Sequence, residues 1–114
     1  MMPVPSRGEV WLVNLDPMRD HEQAGHRPCV VISDDLYNYG PAGKHIVLPI
    51  TSKYKCIPYH IEVAPPEGGL RSKSYVMCDD VRSVARERLS KRLGSLSPRS
   101  MLVAGDSLRV LTCL

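Results

Sequence analysis

The segment Glu22-Gln23-Ala24-Gly25-His26-Arg27-Pro28, with His21 just before it, gathers residue types suited to chemistry on a phosphate ester. The Arg27 guanidinium stays charged and presents its donors as a fork that matches phosphate oxygens, so it can neutralise the charge that builds on phosphorus during transesterification. The competing role is an ion pair with Glu22 or Asp20 that pins the loop. Histidine is the side chain whose ordinary pKa, about 6.5, suits proton transfer near neutrality. Either His21 or His26 can take a proton from a ribose 2′-hydroxyl or return one to the leaving 5′-oxygen, and either can equally be a plain surface residue. His21 is the stronger candidate, because Glu22 and Gln23 beside it can orient its ring.

Two further segments join this loop. Thr51-Ser52-Lys53 ends the apolar run that closes with Pro49-Ile50, setting hydroxyls and an ammonium at a strand end where phosphate can bind. A plain strand terminus with turn-forming hydroxyls has the same composition. Asp79 and Asp80 interrupt the strand-like run Tyr75–Val84, and neighbours on a strand face opposite sides. One aspartate at most then faces a site, to orient an arginine or accept a proton, while the other pairs with Arg82. That arrangement argues against paired-carboxylate metal chemistry. The cysteines, Cys29, Cys56, Cys78 and Cys113, contain no Cys-x-x-Cys unit, so a structural zinc is not expected and all four are read as thiols; no cofactor is expected. Taken together, the three segments point to RNA cleavage.

The elements that must position these residues are mostly strands. Val10–Leu15, Cys29–Ser33, His45–Thr51, Tyr59–Val63 and Tyr75–Val84 are rich in Val and Ile and bounded by Gly, Pro, Asn or Asp. Leu89–Leu96 reads as one more. Ser33 is expected to cap a short helix over Asp34–Asn38, with acidic residues in its first turn. Ser97-Pro98 signals a second helix, a hydroxyl N-cap followed by proline at the first helical position. Met101, Ala104, Leu108 and Leu111 then recur at spacings of three and four, an apolar stripe that packs on the sheet. Residues 65–69, Pro-Pro-Glu-Gly-Gly, form a turn between strands. The expected architecture is mainly β, a small barrel or curled sheet with a short helix after the second strand and a C-terminal helix.

With 114 residues the chain is expected to form one domain over 1–114. Apolar residues make up 43% and charged residues 24%, which excludes a disordered polyelectrolyte. The core must be aliphatic, since there is no Phe and a single Trp. No apolar run approaches the roughly 20 residues that span a bilayer, and the first residues lack the regions of a signal peptide, so a cytoplasmic protein without membrane association is expected. A net charge of +3 does not by itself announce a nucleic-acid binder. Its distribution says more: Arg82, Arg86, Arg88, Lys91 and Arg92 crowd one stretch, and Lys53 and Lys55 another. Such patches attract a polyanion, or else form a solvated face relieved by Glu87.

The chain resembles the MazF/PemK/Kid family of toxin endoribonucleases. The matching segments are Arg7-Gly8-Glu9-Val10-Trp11-Leu12-Val13-Asn14-Leu15-Asp16-Pro17, then His21 through Pro28, Pro49 through Lys53, Gly69-Leu70, Val76 through Asp79, Arg88-Leu89, Lys91 through Gly94, and Leu96-Ser97-Pro98. The resemblance implies an SH3-like barrel that works as a homodimer. It implies metal-independent cutting of single-stranded RNA by 2′-hydroxyl attack, leaving a 2′,3′-cyclic phosphate and a 5′-hydroxyl. It also implies a cognate, MazE-like antitoxin whose acidic and apolar tail covers the RNA groove. Carried over by position, Arg27 and Thr51 match the catalytic arginine and threonine, and His21 and Asp79 match acid-base residues of the Kid-like branch. That branch has an arginine two positions before the aspartate, where this chain has Met77, so the acid-base assignment does not transfer whole. Around this set, Glu22, Gln23, His26 and Ser52 are expected to contact RNA. Lys53, Lys55, Asp80 and Arg82 extend the same surface, with loop 16–27 and Lys53–Pro58 reading bases. The alternative from another class is a CcdB-like gyrase poison, which shares the fold but acts by binding a protein. Its C-terminal end is not recognised in residues 108–114, and the His-Arg-Thr set has no task there. A non-catalytic SH3-like module would need clustered aromatics that this chain does not supply.

Overall fold

One strand, β3 (Lys44–Thr51), organises the molecule by pairing in turn with three neighbours. Its first half runs antiparallel to β6 (Arg82–Ala85), its middle to β2 (His26–Val31), and its last two residues to β5 (Ser74–Met77). On one flank β5 carries β4 (His60–Val63). On the other, β2 carries β1 (Glu9–Asn14), which carries β7 (Leu89–Ser95). The computed structural model describes residues 3–15 and 25–114. Within them the strand path β4-β5-β3-β2-β1-β7 does not close on itself, so this is an open form of the expected SH3-like small barrel.

Alternation along the strands supplies two apolar faces, as a period of two requires. Val10, Val30, Leu48 and Val76 lie on one; Trp11, Val13, Cys29, Val31 and Val47 lie on the other. The first face is covered by α2 (Pro98–Thr112), where Ala104 is fully buried and Met101, Leu108 and Leu111 pack beside it. This is the stripe expected from the sequence. Ser97 caps that helix, its hydroxyl accepting from the Ser100 backbone N–H at 3.1 Å, and Pro98 follows as the first helical residue.

Two local expectations are corrected. Asp34, not Ser33, caps α1 (Asp35–Asn38), accepting from the Leu36 N–H at 2.9 Å. Ser33 is buried between β2 and β3 and its hydroxyl is already engaged: it donates to Asn38 Oδ1 and accepts from the Ile46 N–H at 3.0 Å. The run Tyr75–Val84 is not one strand either. β5 ends at Met77, Cys78–Asp80 form a 3₁₀ turn, and β6 starts at Arg82. The registers show why: Val47 faces Arg82, whereas Ile50 faces Val76, so three residues of β3 stand against six of the other chain segment. The surplus is taken up by the turn, which tucks Cys78 against α2 with its thiol 3.7 Å from the Ala104 carbonyl.

Buried polar groups are concentrated beside α1. Asn38 donates from Nδ2 to the Ser33 carbonyl at 2.9 Å and to Asp35 Oδ1 at 3.0 Å, which orients its amide. Its Oδ1 therefore accepts from His45 Nδ1–H at 3.0 Å, and His45 Nε2 is left to accept from Arg86 Nε at 3.4 Å. His45 is fully buried, and that desolvation, reinforced by the Arg86 charge, holds its pKa below the ordinary value. The network fixes a neutral imidazole.

Candidate functional site: a cationic cleft

The end of β3 opens into a cleft of about 500 Å³. Arg27 and His26 reach it from β2, Thr51, Ser52 and Lys53 from the end of β3, and Lys91 from β7. Residues 69–72 close the remaining side, contributing Arg71. Four cations line the cleft, and among the described residues no aspartate or glutamate does. A site of that charge, walled by Leu12, Ile50 and Leu93, favours an anion with an apolar or aromatic body.

Local structure explains each position. Arg27 follows the exposed His26 at the start of β2 and is half-buried, its Nη1 donating to the Ile50 carbonyl at 3.4 Å. That contact leans the guanidinium against the strand residue just before Thr51. Thr51 is buried at the last rung of β3, and its Oγ1 accepts the Lys53 N–H at 3.2 Å. With the acceptor role taken up, the hydroxyl proton can be donated to a phosphate oxygen. The wall at 69–72 is held by a close backbone approach. A Cβ on Gly69, whose φ is +70°, would stand 2.0 Å from the Leu93 carbonyl oxygen, and one on Gly94 would stand 2.7 Å from the Gly68 carbonyl carbon. Glu67 ties the same turn to the head of α2 by accepting the Ser97 N–H at 2.8 Å.

The structure brings Arg27, His26, Thr51, Ser52 and Lys53 together and sorts the other candidates differently. Lys55 is exposed and lies outside the cleft lining. Asp80 and Arg82 do not line it; their charges, with that of Arg27, act on the buried Cys29 thiol. Burial dominates there and pushes that thiol up to about 12, against the lowering pull of Arg27 and Arg82. Asp79 faces elsewhere: its Oδ1 accepts from His60 Nε2 at 2.8 Å. His60 is almost completely enclosed and its Nδ1 has no partner among the described residues. His21, Glu22 and Gln23 lie outside the described residues.

Arg71, Lys91 and His60 were not singled out as site residues from the sequence. The basic stretch carried a signal for Lys91, but its neighbours are occupied: Arg86 donates to the Asn38 carbonyl, Arg88 to the Asn14 carbonyl, and Arg92 pairs with Glu9 at 3.0 Å. For Arg71 and His60 no motif was available, since both owe their positions to tertiary contacts. Among the described residues no group of His, Cys, Asp and Glu is arranged to hold a metal ion, and no helix is long and apolar enough to cross a membrane.

The model of a family described as PemK-like, MazF-like toxin of type II toxin-antitoxin system matches residues 6–111. The chain belongs to that family. Among curated MazF-like relatives, Endoribonuclease MazF9 of Mycobacterium tuberculosis is 32% identical over 109 residues, covering 91% of this chain and 92% of the relative. Endoribonuclease toxin MazF of Escherichia coli K12 is 31% identical over 109 residues, with 95% and 94% covered. Among solved structures, MazF (Form-I) from Deinococcus radiodurans superposes with a TM-score of 0.85 at 29% identity, covering 99% of this chain and all of that one. The MazE-MazF crystal structure (Form-II) from the same organism gives 0.81 at 28% identity, with 99% of each chain covered. The MazF-like toxin fold therefore extends over nearly the whole chain.

Proposed function

We propose that this MazF-like toxin is a sequence-specific, metal-independent endoribonuclease that cuts single-stranded RNA in the cleft at the end of β3. The observation that carries the proposal is the convergence of Arg27 and Thr51 on a cleft lined by four cations and no described carboxylate. A phosphodiester placed there meets the Arg27 fork and the Thr51 hydroxyl on its non-bridging oxygens. As the ribose 2′-oxygen attacks, charge on phosphorus rises, and a guanidinium already leaning on the Ile50 carbonyl stabilises it with little reorganisation. Lys53, Arg71 and Lys91 hold the flanking phosphates. The 2′-oxygen forms its bond to phosphorus as the bond to the 5′-oxygen breaks, giving a 2′,3′-cyclic phosphate and a 5′-hydroxyl.

For the two proton transfers, His26 lines the cleft beside Arg27, whereas Asp79 is engaged with His60 and does not line it. The geometry supports His26 in this role over Asp79, while His21 lies outside the described residues. The proposed setting is a cytoplasmic homodimer held in check by a MazE-like antitoxin, whose acidic segment fits a cleft of this charge. The test is to incubate the purified chain with a mixed RNA pool in EDTA and map the ends. Fragments with 5′-hydroxyl termini at a recurring short sequence are expected; intact RNA, or cleavage only with added divalent metal, would overturn the proposal.

A further inference from the structure

Just beyond the cleft, Tyr54 stands out as a large ring left 69% exposed. It is not a loose surface side chain. Its ring lies on that of Tyr75, with centroids 5.4 Å apart and planes tilted by 50°. Tyr75 is 9% exposed and is the cross-strand partner of Thr51, so the two share one face of the sheet. One side of the Tyr54 ring is thus held by a buried aromatic next to Thr51, while the rest faces solvent between Lys53 and Lys55.

We propose that Tyr54 is a stacking platform for one unpaired base of the RNA, next to the phosphate held at Arg27 and Thr51. The inference rests on the RNA-cleaving reading above. Single-stranded RNA is bound by splaying bases onto aromatic side chains while cations follow the backbone, and here an aromatic pair adjoins a row of cations. A ring already packed on Tyr75 has given up part of its rotational freedom before the base arrives, which reduces the ordering cost of binding. Stacking accepts any base but rewards the larger π surface, so Tyr54 favours a purine at its position. Tyr54 is a binding residue that does not line the cleft holding the reacting phosphate.

The test uses an oligoribonucleotide carrying a mapped cut site, with 2′-deoxyribose at that site for binding and ribose for cleavage. Tyr54→Ala should weaken binding of the uncleavable strand by roughly 5- to 150-fold, with the single-turnover rate at saturating enzyme unchanged. Tyr54→Phe, which keeps the ring and its packing on Tyr75, should bind like the wild type. An abasic nucleotide walked along the strand should cost the wild type that same factor at one position and cost Tyr54→Ala nothing more there. Wild-type binding by Tyr54→Ala, or an abasic profile identical in the two proteins, would overturn the platform while leaving the nuclease reading intact. Failure of the wild type itself to cut RNA would instead remove the nuclease reading.

Discussion

Replacing Arg27 by alanine separates transition-state stabilisation from simple charge attraction. The cleft lining contains four cations, of which Arg27 is one. If all four meet phosphates, log K for a single strand should fall with log salt at a slope of about −2.8, and Arg27→Ala should bring it to about −2.1. Binding therefore weakens moderately, because Lys53, Arg71 and Lys91 remain. The chemical step should suffer more. Removing a preorganised donor aimed at developing charge costs about 2.7–4 kcal/mol, a 100- to 1000-fold loss in single-turnover rate at saturating enzyme. Loss of the long Arg27 bond to the Ile50 carbonyl contributes only about 0.5–1.5 kcal/mol to stability, so circular dichroism should report a folded protein. Arg27→Lys supplies the control: it keeps the charge and the salt slope, yet lacks the fork and should stay at least roughly tenfold slow. The measurements are anisotropy against salt with an uncleavable strand and quenched single-turnover cleavage. A rate within about threefold of wild type for Arg27→Ala, at saturation, would refute the role assigned to the guanidinium.

Three other outcomes follow from particular contacts. The His45 pKa lies below its unfolded value of about 6.5, so below that pH the unfolded chain gains a proton that the folded one refuses. Stability from this group is complete above about pH 6.5 and declines as pH falls toward the folded-state pKa, by at most about 1.4 kcal/mol per pH unit. Urea midpoints at pH 7.5 and 5.5 measure it, and a His45 ring resonance already half-protonated at pH 6.5 would contradict it. Gly69→Ala forces a Cβ to within 2.0 Å of the Leu93 carbonyl at a positive φ, so it should destabilise by about 1–3 kcal/mol and disturb the Arg71 wall. A melting temperature and RNA affinity both equal to wild type would count against that close approach. Finally, burial pushes the Cys29 thiol up to about 12 and that of Cys78 to about 11, while Cys56 and Cys113 are exposed. Titration with a disulfide reagent at pH 8 should show two fast thiols, and four would show that the core opens readily.

Much of this molecule is local and therefore readable in the chain. Alternating Val and Ile placed the strands because a pleated, half-buried ribbon selects that period, and Ser97-Pro98 with the Met101, Ala104, Leu108, Leu111 stripe placed α2 because capping and a 3.6-residue repeat are short-range physics. Arg27 and Thr51 were legible as candidates by residue type and strand-end position, and the family resemblance supplied the roles proposed for them. What lay beyond the sequence depended on which segments meet. Asp79 read as a strand residue beside the site, but the three surplus residues between the β3–β5 and β3–β6 registers turn the chain at Cys78–Asp80 and bring Asp79 to His60. Ser33 read as a cap, yet burial between two strands gave its hydroxyl other partners. Along the basic stretch, a run of like charge does not reveal that Arg86, Arg88 and Arg92 spend their donors on Asn38, Asn14 and Glu9 while Lys91 faces the cleft. Arg71 reaches the cleft because Gly69 and Gly94 let two backbones touch, a contact between residues 25 apart. Propensity and periodicity act over a few residues, and so most of the elements were determined by the sequence alone. The cleft's charge, its far wall and its aromatic rim arise from contacts between distant segments, which only the tertiary structure decided.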